Sequence, residues 1–140
     1  MTDFDPLFLT VDEVLSLHED QLHLFGGSAG IRDRGVLESA VAMPASTYDG
    51  VYLHEGLFEM ASAYAFHIAE GQPFVDGNKR TGLNAALVFL DINGWLVDDP
   101  EMRLYDAMIG FATGAYDKLK FAELLRTLAS SFVDLRGADP

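Results

Sequence analysis

The stretch Gln72-Pro73-Phe74-Val75-Asp76-Gly77-Asn78-Lys79-Arg80-Thr81 decides how this chain is read. Ahead of it, from Leu57 to Glu70, the apolar residues Leu57, Phe58, Ala61, Tyr64, Ala65 and Ile68 recur at steps of three and four. That period predicts a buried helix, ended by Gly71 and Pro73. Behind it, a second apolar helix is predicted from about Asn78 through Leu83, Ala86, Leu87 and Leu90 to the stop Asn93-Gly94. The stretch is therefore a reversal between two core helices, and its second half opens the second one. First-turn amides of a helix lack intrahelical partners, and the peptide dipoles place roughly half a positive charge there. Gly77 allows the backbone to turn closely, while Lys79 and Arg80 add two cations, so the chemistry predicts an anion site. Asp-Gly-Asn is equally an ordinary turn, and Lys-Arg equally a solvated first turn. Cations at a helix start oppose the dipole, however, which argues against a purely structural purpose.

Working outward, Thr10-Val11-Asp12-Glu13 has the form of a capping box and predicts a helix with Val11, Val14, Leu15, Leu22 and Phe25 on its apolar face, stopped by Gly26-Gly27. After a loop over 26–32, Asp33 caps a short helix bearing Val36, Leu37, Ala40 and Val41, ended by Pro44. The run Ser46-Thr47-Tyr48-Asp49-Gly50-Val51-Tyr52-Leu53 places a turn-forming Asp-Gly between β-prone residues, as in a hairpin or extended flap. Downstream, Asp99-Pro100 reads as a cap followed by proline at the first position of a helix through Leu104, Ala107, Met108 and Phe111 to Gly114. Asp117 caps a last helix with Phe121, Leu124, Leu125, Leu128 and Phe132 inward. The expectation is an all-α domain over 1–140, of about six helices around the central pair, with one short flap.

Bulk properties narrow the partners. A hydrophobic share of 49% over 140 residues suffices for a core of its own and leaves no room for a second domain. With no cysteine, disulfides, thiolate nucleophiles and Cys-ligated zinc are excluded. The net charge of −13 repels phosphodiester backbones, so nucleic acid is not an expected partner. Lysine occurs only at positions 79, 118 and 120, so an anion must be held by a local exception to an acidic field. An acidic start, Met1-Thr2-Asp3-Phe4-Asp5-Pro6, and the lack of any long apolar run lead to the expectation of a cytoplasmic protein without a membrane span.

The central stretch resembles the Fic/Doc family, whose Fic members share HxFx(D/E)GNGRxxR and whose Doc (death-on-curing) branch has an NKRT run instead. Phe74, Asp76, Gly77, Asn78 and Arg80 match in order and spacing, and Lys79, Thr81, Leu83 and Asn84 follow the Doc form. Upstream, Gly30-Ile31-Arg32-Asp33 with Leu37-Glu38-Ser39-Ala40 is similar to a segment common in Doc-like chains. The resemblance spans most of the chain. It implies the all-α Fic fold, with the flap (Tyr48, Asp49, Gly50, Val51, Tyr52, Leu53) over the active site. It also implies Phe74 as loop anchor, Asp76 as ligand to Mg²⁺, and Gly77, Asn78 and Lys79 around the phosphates of ATP. Arg80 would neutralise charge on the transferred group. With Lys79 and Leu83 in place of the second glycine and second arginine of adenylyltransferases, it favours γ-phosphoryl transfer to a protein hydroxyl over adenylyl transfer.

Where the family has its catalytic histidine, this chain has Gln72. An amide has no usable basicity, so general-base assistance, typically ~10²–10⁴-fold, is expected to be missing. The readings that follow are a toxin of a type II toxin–antitoxin system impaired at this step, a catalytically silent nucleotide- or partner-binding module, and an adenylyltransferase. Gln72 itself is compatible with a native residue, a deliberate change or selection against toxicity, since His and Gln codons differ by one base. His54, next to the flap, is either a substitute base or a solvated residue. His67 is expected to be structural, and His18 and His23 to lie on a helix surface. No (S/T)xxxE(G/N) self-inhibitory pattern occurs, so the resemblance implies a separate antitoxin as partner, beside a target protein plausibly in the translation machinery.

Overall fold

The computed structural model describes residues 5–137. The first four residues of the acidic start lie outside this range. In chain order the described residues form α1 (Val11–Phe25), α2 (Arg34–Ala42), a 3₁₀ turn (Met43–Ala45), β1 (Thr47–Tyr48), β2 (Val51–Tyr52), α3 (Leu57–Gly71), α4 (Asn78–Ile92), β3 (Trp95–Val97), α5 (Arg103–Thr113), α6 (Lys118–Leu128), β4 (Ala129–Ser131) and α7 (Phe132–Gly137). The fold is all-α with one short hairpin, as the sequence leads one to expect, and has a second strand pair, β3–β4, that it does not.

Local chemistry sets most helix starts. Thr10 Oγ1 accepts from Glu13 N–H at 3.1 Å, and Glu13 Oε1 accepts from Thr10 N–H at 2.8 Å, which closes the capping box. Asp33 accepts from Val36 N–H and Asp117 from Lys120 N–H. Each such cap is worth about 1 kcal/mol. The flap is a β1–β2 hairpin whose central residues, Asp49 (φ 53°) and Gly50 (φ 79°), both adopt positive φ. A right-twisted two-residue hairpin requires that geometry, and Asp-Gly tolerates it.

The core is organised on α3, where Met60, Ala61, Ser62, Ala63, Tyr64, Ala65 and Ile68 are fully buried. It packs most extensively on α4 and also meets α2, α5 and α6. Small residues allow the central pair to approach closely. A Cβ added to Gly82 would lie 2.8 Å from the Ala65 carbonyl oxygen. The Tyr64 hydroxyl accepts from Leu9 N–H at 2.8 Å, and the Asn93 side chain exchanges two hydrogen bonds with the Leu7 backbone. These contacts tie the segment before α1 across both central helices.

Three expectations are corrected. The last helix does not reach Phe132: α6 stops at Leu128, and Ala129–Ser131 pairs antiparallel with Trp95–Val97. The backbone groups of β3 need partners, and Thr127, Ser130 and Ser131 are weak helix formers, so strand pairing wins there. Phe132 then opens α7. In α5, Asp99 does cap, but the helix begins at Arg103: the Asp99 carboxylate accepts from both Arg103 and Leu104 N–H at 2.9 Å, after a turn at Pro100-Glu101. Phe25, assigned to the apolar face of α1, is 57% exposed and turns away from the core.

Gly82→Ala tests the close approach of α3 and α4. Alanine favours an isolated helix by about 1 kcal/mol over glycine, yet here its methyl meets a backbone carbonyl. The variant is expected to lose about 1–3 kcal/mol in chemical denaturation; a gain in stability would show that the helices are not so tightly apposed.

Candidate functional site

The reversal between α3 and α4 is fastened from three sides. The Gly30–Asp33 loop lies alongside it: Val75 N–H donates to the Gly30 carbonyl at 3.0 Å, and Arg32 and Asp33 N–H both donate to the Pro73 carbonyl. The Arg32 guanidinium donates to the carbonyls of Gly71 and Gln72, where a cation complements the negative end of α3. From within, Asn78 Oδ1 accepts from Phe74 N–H at 2.9 Å, and its Nδ2 donates to the Phe74 carbonyl at 3.0 Å. From α1, the His18 ring stacks on Phe74, with centroids 3.7 Å apart and planes 5° off parallel, while Nε2 lies 2.8 Å from the Asp76 carbonyl oxygen. Gln72 is thereby held at φ 52°, ψ 55°, a left-handed conformation that is uncommon for a non-glycine residue and clusters at functional sites.

In front of the loop is a cavity of about 490 Å³. Gln72, Asp76, Gly77, Asn78, Lys79 and Arg80 line it from the loop and the start of α4. Gly77 (φ 77°) turns the chain into α4, and no side chain caps that helix. Its first amides therefore face the cavity without the partner that Thr10, Asp33 or Asp117 supplies elsewhere. Neither Lys79 nor Arg80 forms an ion pair among the described residues, although acidic residues outnumber basic ones by 22 to 9. Uncapped amides and two cations without an ion pair on one cavity are the chemistry that suits a polyanion.

Asp76 supplies the opposite charge at its edge. One carboxylate oxygen accepts from Gly77 N–H at 3.0 Å and the other from Ser28 N–H at 3.2 Å. The Gly26–Gly27 turn permits this approach: a Cβ on Gly27 would stand 2.9 Å from Asp76 Oδ2. A carboxylate has about four acceptor positions, so each oxygen retains one for a cation. No group of three or more metal-binding side chains exists among the described residues. A lone carboxylate beside a polyanion site suits Mg²⁺, which binds through one or two carboxylates together with phosphate oxygens and water. The residues therefore fit a metal that arrives with its phosphates.

Residues 8–90 match the Fic/DOC family, a range that takes in α1 to α3, the whole loop and all but the last two residues of α4. The chain belongs to the Fic/DOC family. Over 126 residues it is 36% identical to the protein kinase doc of Escherichia phage P1, covering 88% of this chain and 96% of that one. Toxin Doc of Mycolicibacterium smegmatis is 46% identical over 70 residues, half of this chain and 54% of its own. Both similarities place the chain on the Doc branch.

Within this Fic/Doc site, some residues stand where the sequence led one to expect and others do not. Gln72, Asp76, Gly77, Lys79 and Arg80 converge on the cavity, and Phe74 is a buried anchor, 1% exposed. Asn78 lines the cavity too, but both ends of its side-chain amide are engaged by Phe74, which leaves its backbone N–H as the group open to an anion. None of the flap residues lines the cavity; the flap instead leans on the N-terminal segment through Tyr52 and Phe8. His18 is not a surface residue. It is buried beneath the loop, a placement its helical neighbours gave no sign of, because the partner, Phe74, is far along the chain.

His54 is no substitute base. Its Nε2 lies 3.3 Å from Lys118 Nζ, which also sits 3.1 Å from His67 Nε2. The ammonium donates to two neutral imidazoles, and neither histidine lines the cavity. Burial, then the charge of Lys118, pushes the His67 pKa down to about 4, and burial first lowers that of His54 as well. Burial lowers the pKa of Lys118 in turn. No helix among the described residues is long and apolar enough to cross a membrane.

A pH dependence follows from His67. Its folded pKa lies below the ordinary 6.5, so the unfolded chain takes up the proton first, and stability is lost as pH falls from about 6.5 to about 4. His67→Gln removes that proton uptake and keeps a hydrogen-bond acceptor for Lys118. The fall in melting temperature over this window is expected to be shallower in the variant than in the parent; equal slopes would refute the half-buried neutral imidazole.

Proposed function

We propose that this Doc-branch chain is a toxin of a type II toxin–antitoxin system whose site holds ATP with Mg²⁺ and is built to pass the γ-phosphoryl group to a protein hydroxyl. The observation that supports it best is the uncapped start of α4, with Lys79 and Arg80 unpaired and one carboxylate beside them, facing a single cavity. Lys79 and the first amides of α4 bind the phosphates, and Arg80 faces the group whose charge grows during transfer. Asp76 would hold Mg²⁺, which supplies neutralisation of phosphate charge. In the transfer, the hydroxyl oxygen bonds to the γ-phosphorus, the bond to the bridging oxygen breaks, ADP leaves, and the hydroxyl proton must go to a base.

Gln72 stands where that base belongs, with its side chain exposed at the cavity. Having no basicity, it leaves the proton to solvent, so binding persists while transfer is slow. Lys79 and Leu83 support phosphoryl over adenylyl transfer, in keeping with the relative named a protein kinase. A separate antitoxin is the partner this reading calls for, and a component of the translation machinery is the target class. Gln72 also favours a second reading, a silent nucleotide-binding module.

Gln72→His separates these. Restored transfer of label from γ-labelled ATP, about 10²–10⁴-fold above the parent, together with arrest of bacterial growth, is the expected outcome. Transfer of α-label would overturn the reaction type, and silence with both labels would favour the module. The binding step is read independently: Mg-ATP at about a hundred times its Kd is expected to stabilise the parent by about 2.7 kcal/mol. The Lys79→Ala, Arg80→Ala double variant is expected to lose that response.

A further inference from the structure

An arginine in an acidic protein ordinarily finds a carboxylate. Among the described residues Arg34 pairs with Glu38, Arg126 with Glu59 and Glu123, and Arg32 is engaged by backbone carbonyls. Arg80 is held otherwise. Its Cζ lies 3.8 Å from the ring centroid of Phe25 and 4.5 Å from that of Tyr105. These rings come from two different elements, the last residue of α1 and the first turn of α5, and both line the same cavity as Arg80. Phe25 does so while 57% exposed, a position that contributes little to the core.

The choice of partner matters chemically. A carboxylate would hold the guanidinium by neutralising it and by occupying its in-plane N–H donors. An aromatic face attracts the cation through the ring quadrupole and leaves both the net charge and those donors available. An unheld arginine would either sample many rotamers, and lose that freedom on binding, or fold onto a nearby carboxylate such as Asp76.

We propose that Phe25 and Tyr105 are positioning residues, an aromatic clamp that fixes the Arg80 guanidinium at the cavity while keeping its charge and N–H edge free for a polyphosphate. The inference rests on the nucleotide reading above and adds two residues, neither within the motif, to the phosphate site. It requires the ring of Tyr105 and not its hydroxyl, and it requires that both rings act through Arg80.

The test uses the full chain with Gln72 in place. Calorimetric titration with Mg-ATP and with inorganic tripolyphosphate is compared for the parent, Phe25→Leu, Tyr105→Leu, their combination, and the conservative Phe25→Tyr and Tyr105→Phe. The combined leucine variant is expected to bind both probes about tenfold or more weakly, on the usual scale of cation–π contacts. The conservative variants are expected to stay within about twofold of the parent, since each retains its ring. In an Arg80→Ala background the leucine substitutions are expected to have no further effect. Losses of full size in that background would overturn the clamp. NMR of the parent gives a reading that does not depend on any variant folding: the Arg80 Nε–Hε signal is expected to carry a ring-current shift, and its absence would also overturn the proposal. A shifted signal in a parent that binds neither probe would instead overturn the nucleotide reading, and with it the role assigned to the clamp.

Discussion

The site depends on how the chain reverses between α3 and α4. A helix start is useful to an anion only if the preceding residues turn aside and no side chain reaches back to cap it. Gly77 makes that turn, but the loop before it has a single large apolar residue, Phe74, to anchor it. Its order therefore comes from elsewhere: the Asn78 amide closes a small ring with the Phe74 backbone, His18 stacks on Phe74 from α1, and Arg32 and its neighbours grip Gly71, Gln72 and Pro73. Together these contacts give the start of α4 a defined direction. The left-handed backbone at Gln72 is sustained by the same contacts, since the residues on both sides of it are held.

Charge is managed with equal care. In a chain of net charge −13, several cations among the described residues are held by partners of different kinds. Arg126 meets carboxylates, Arg32 carbonyls and Lys118 two imidazoles. Lys79 and Arg80 escape this. An acidic surround repels a bare polyanion at longer range more than a metal-bound one, which carries less charge. Asp76 sits where such a complex would need a carboxylate, and Gly27 exists as glycine where a methyl would push that carboxylate aside.

Much of this was legible in one dimension. The caps at Thr10, Asp33 and Asp117, the apolar period of α3 and α4, the Asp-Gly hairpin turn and the run from Phe74 to Thr81 are all local signals, decided within one or two turns of chain. The exceptions share a cause. Local sequence reads β4 as helix because the edge of β3 that recruits it lies more than thirty residues away, outside any local window. For His18 and Phe25 the sequence offers only helical period, and period says which side of a helix a residue is on, not what waits there. Asn78 is a different case: its partner, the Phe74 backbone, is only four residues back, and the loop engages its side-chain amide while its backbone N–H stays at the cavity.

By itself, then, the amino-acid sequence determined the family, the helical class, the helix boundaries set by caps, and the identity of the residues from the central stretch that line the cavity, Gln72 among them. Those are properties of residue type and short spacing. Tertiary structure alone decided which of the nearby polar groups are free to meet a ligand. It engaged His54 with Lys118, buried His18 as a support, left Lys79 and Arg80 without an ion pair, and brought Phe25 and Tyr105 to Arg80 from either side of it in the sequence. The physical reason is that availability is a statement about partners, and partners distant in sequence become neighbours only when α1, α3, α4 and α5 close around a common core.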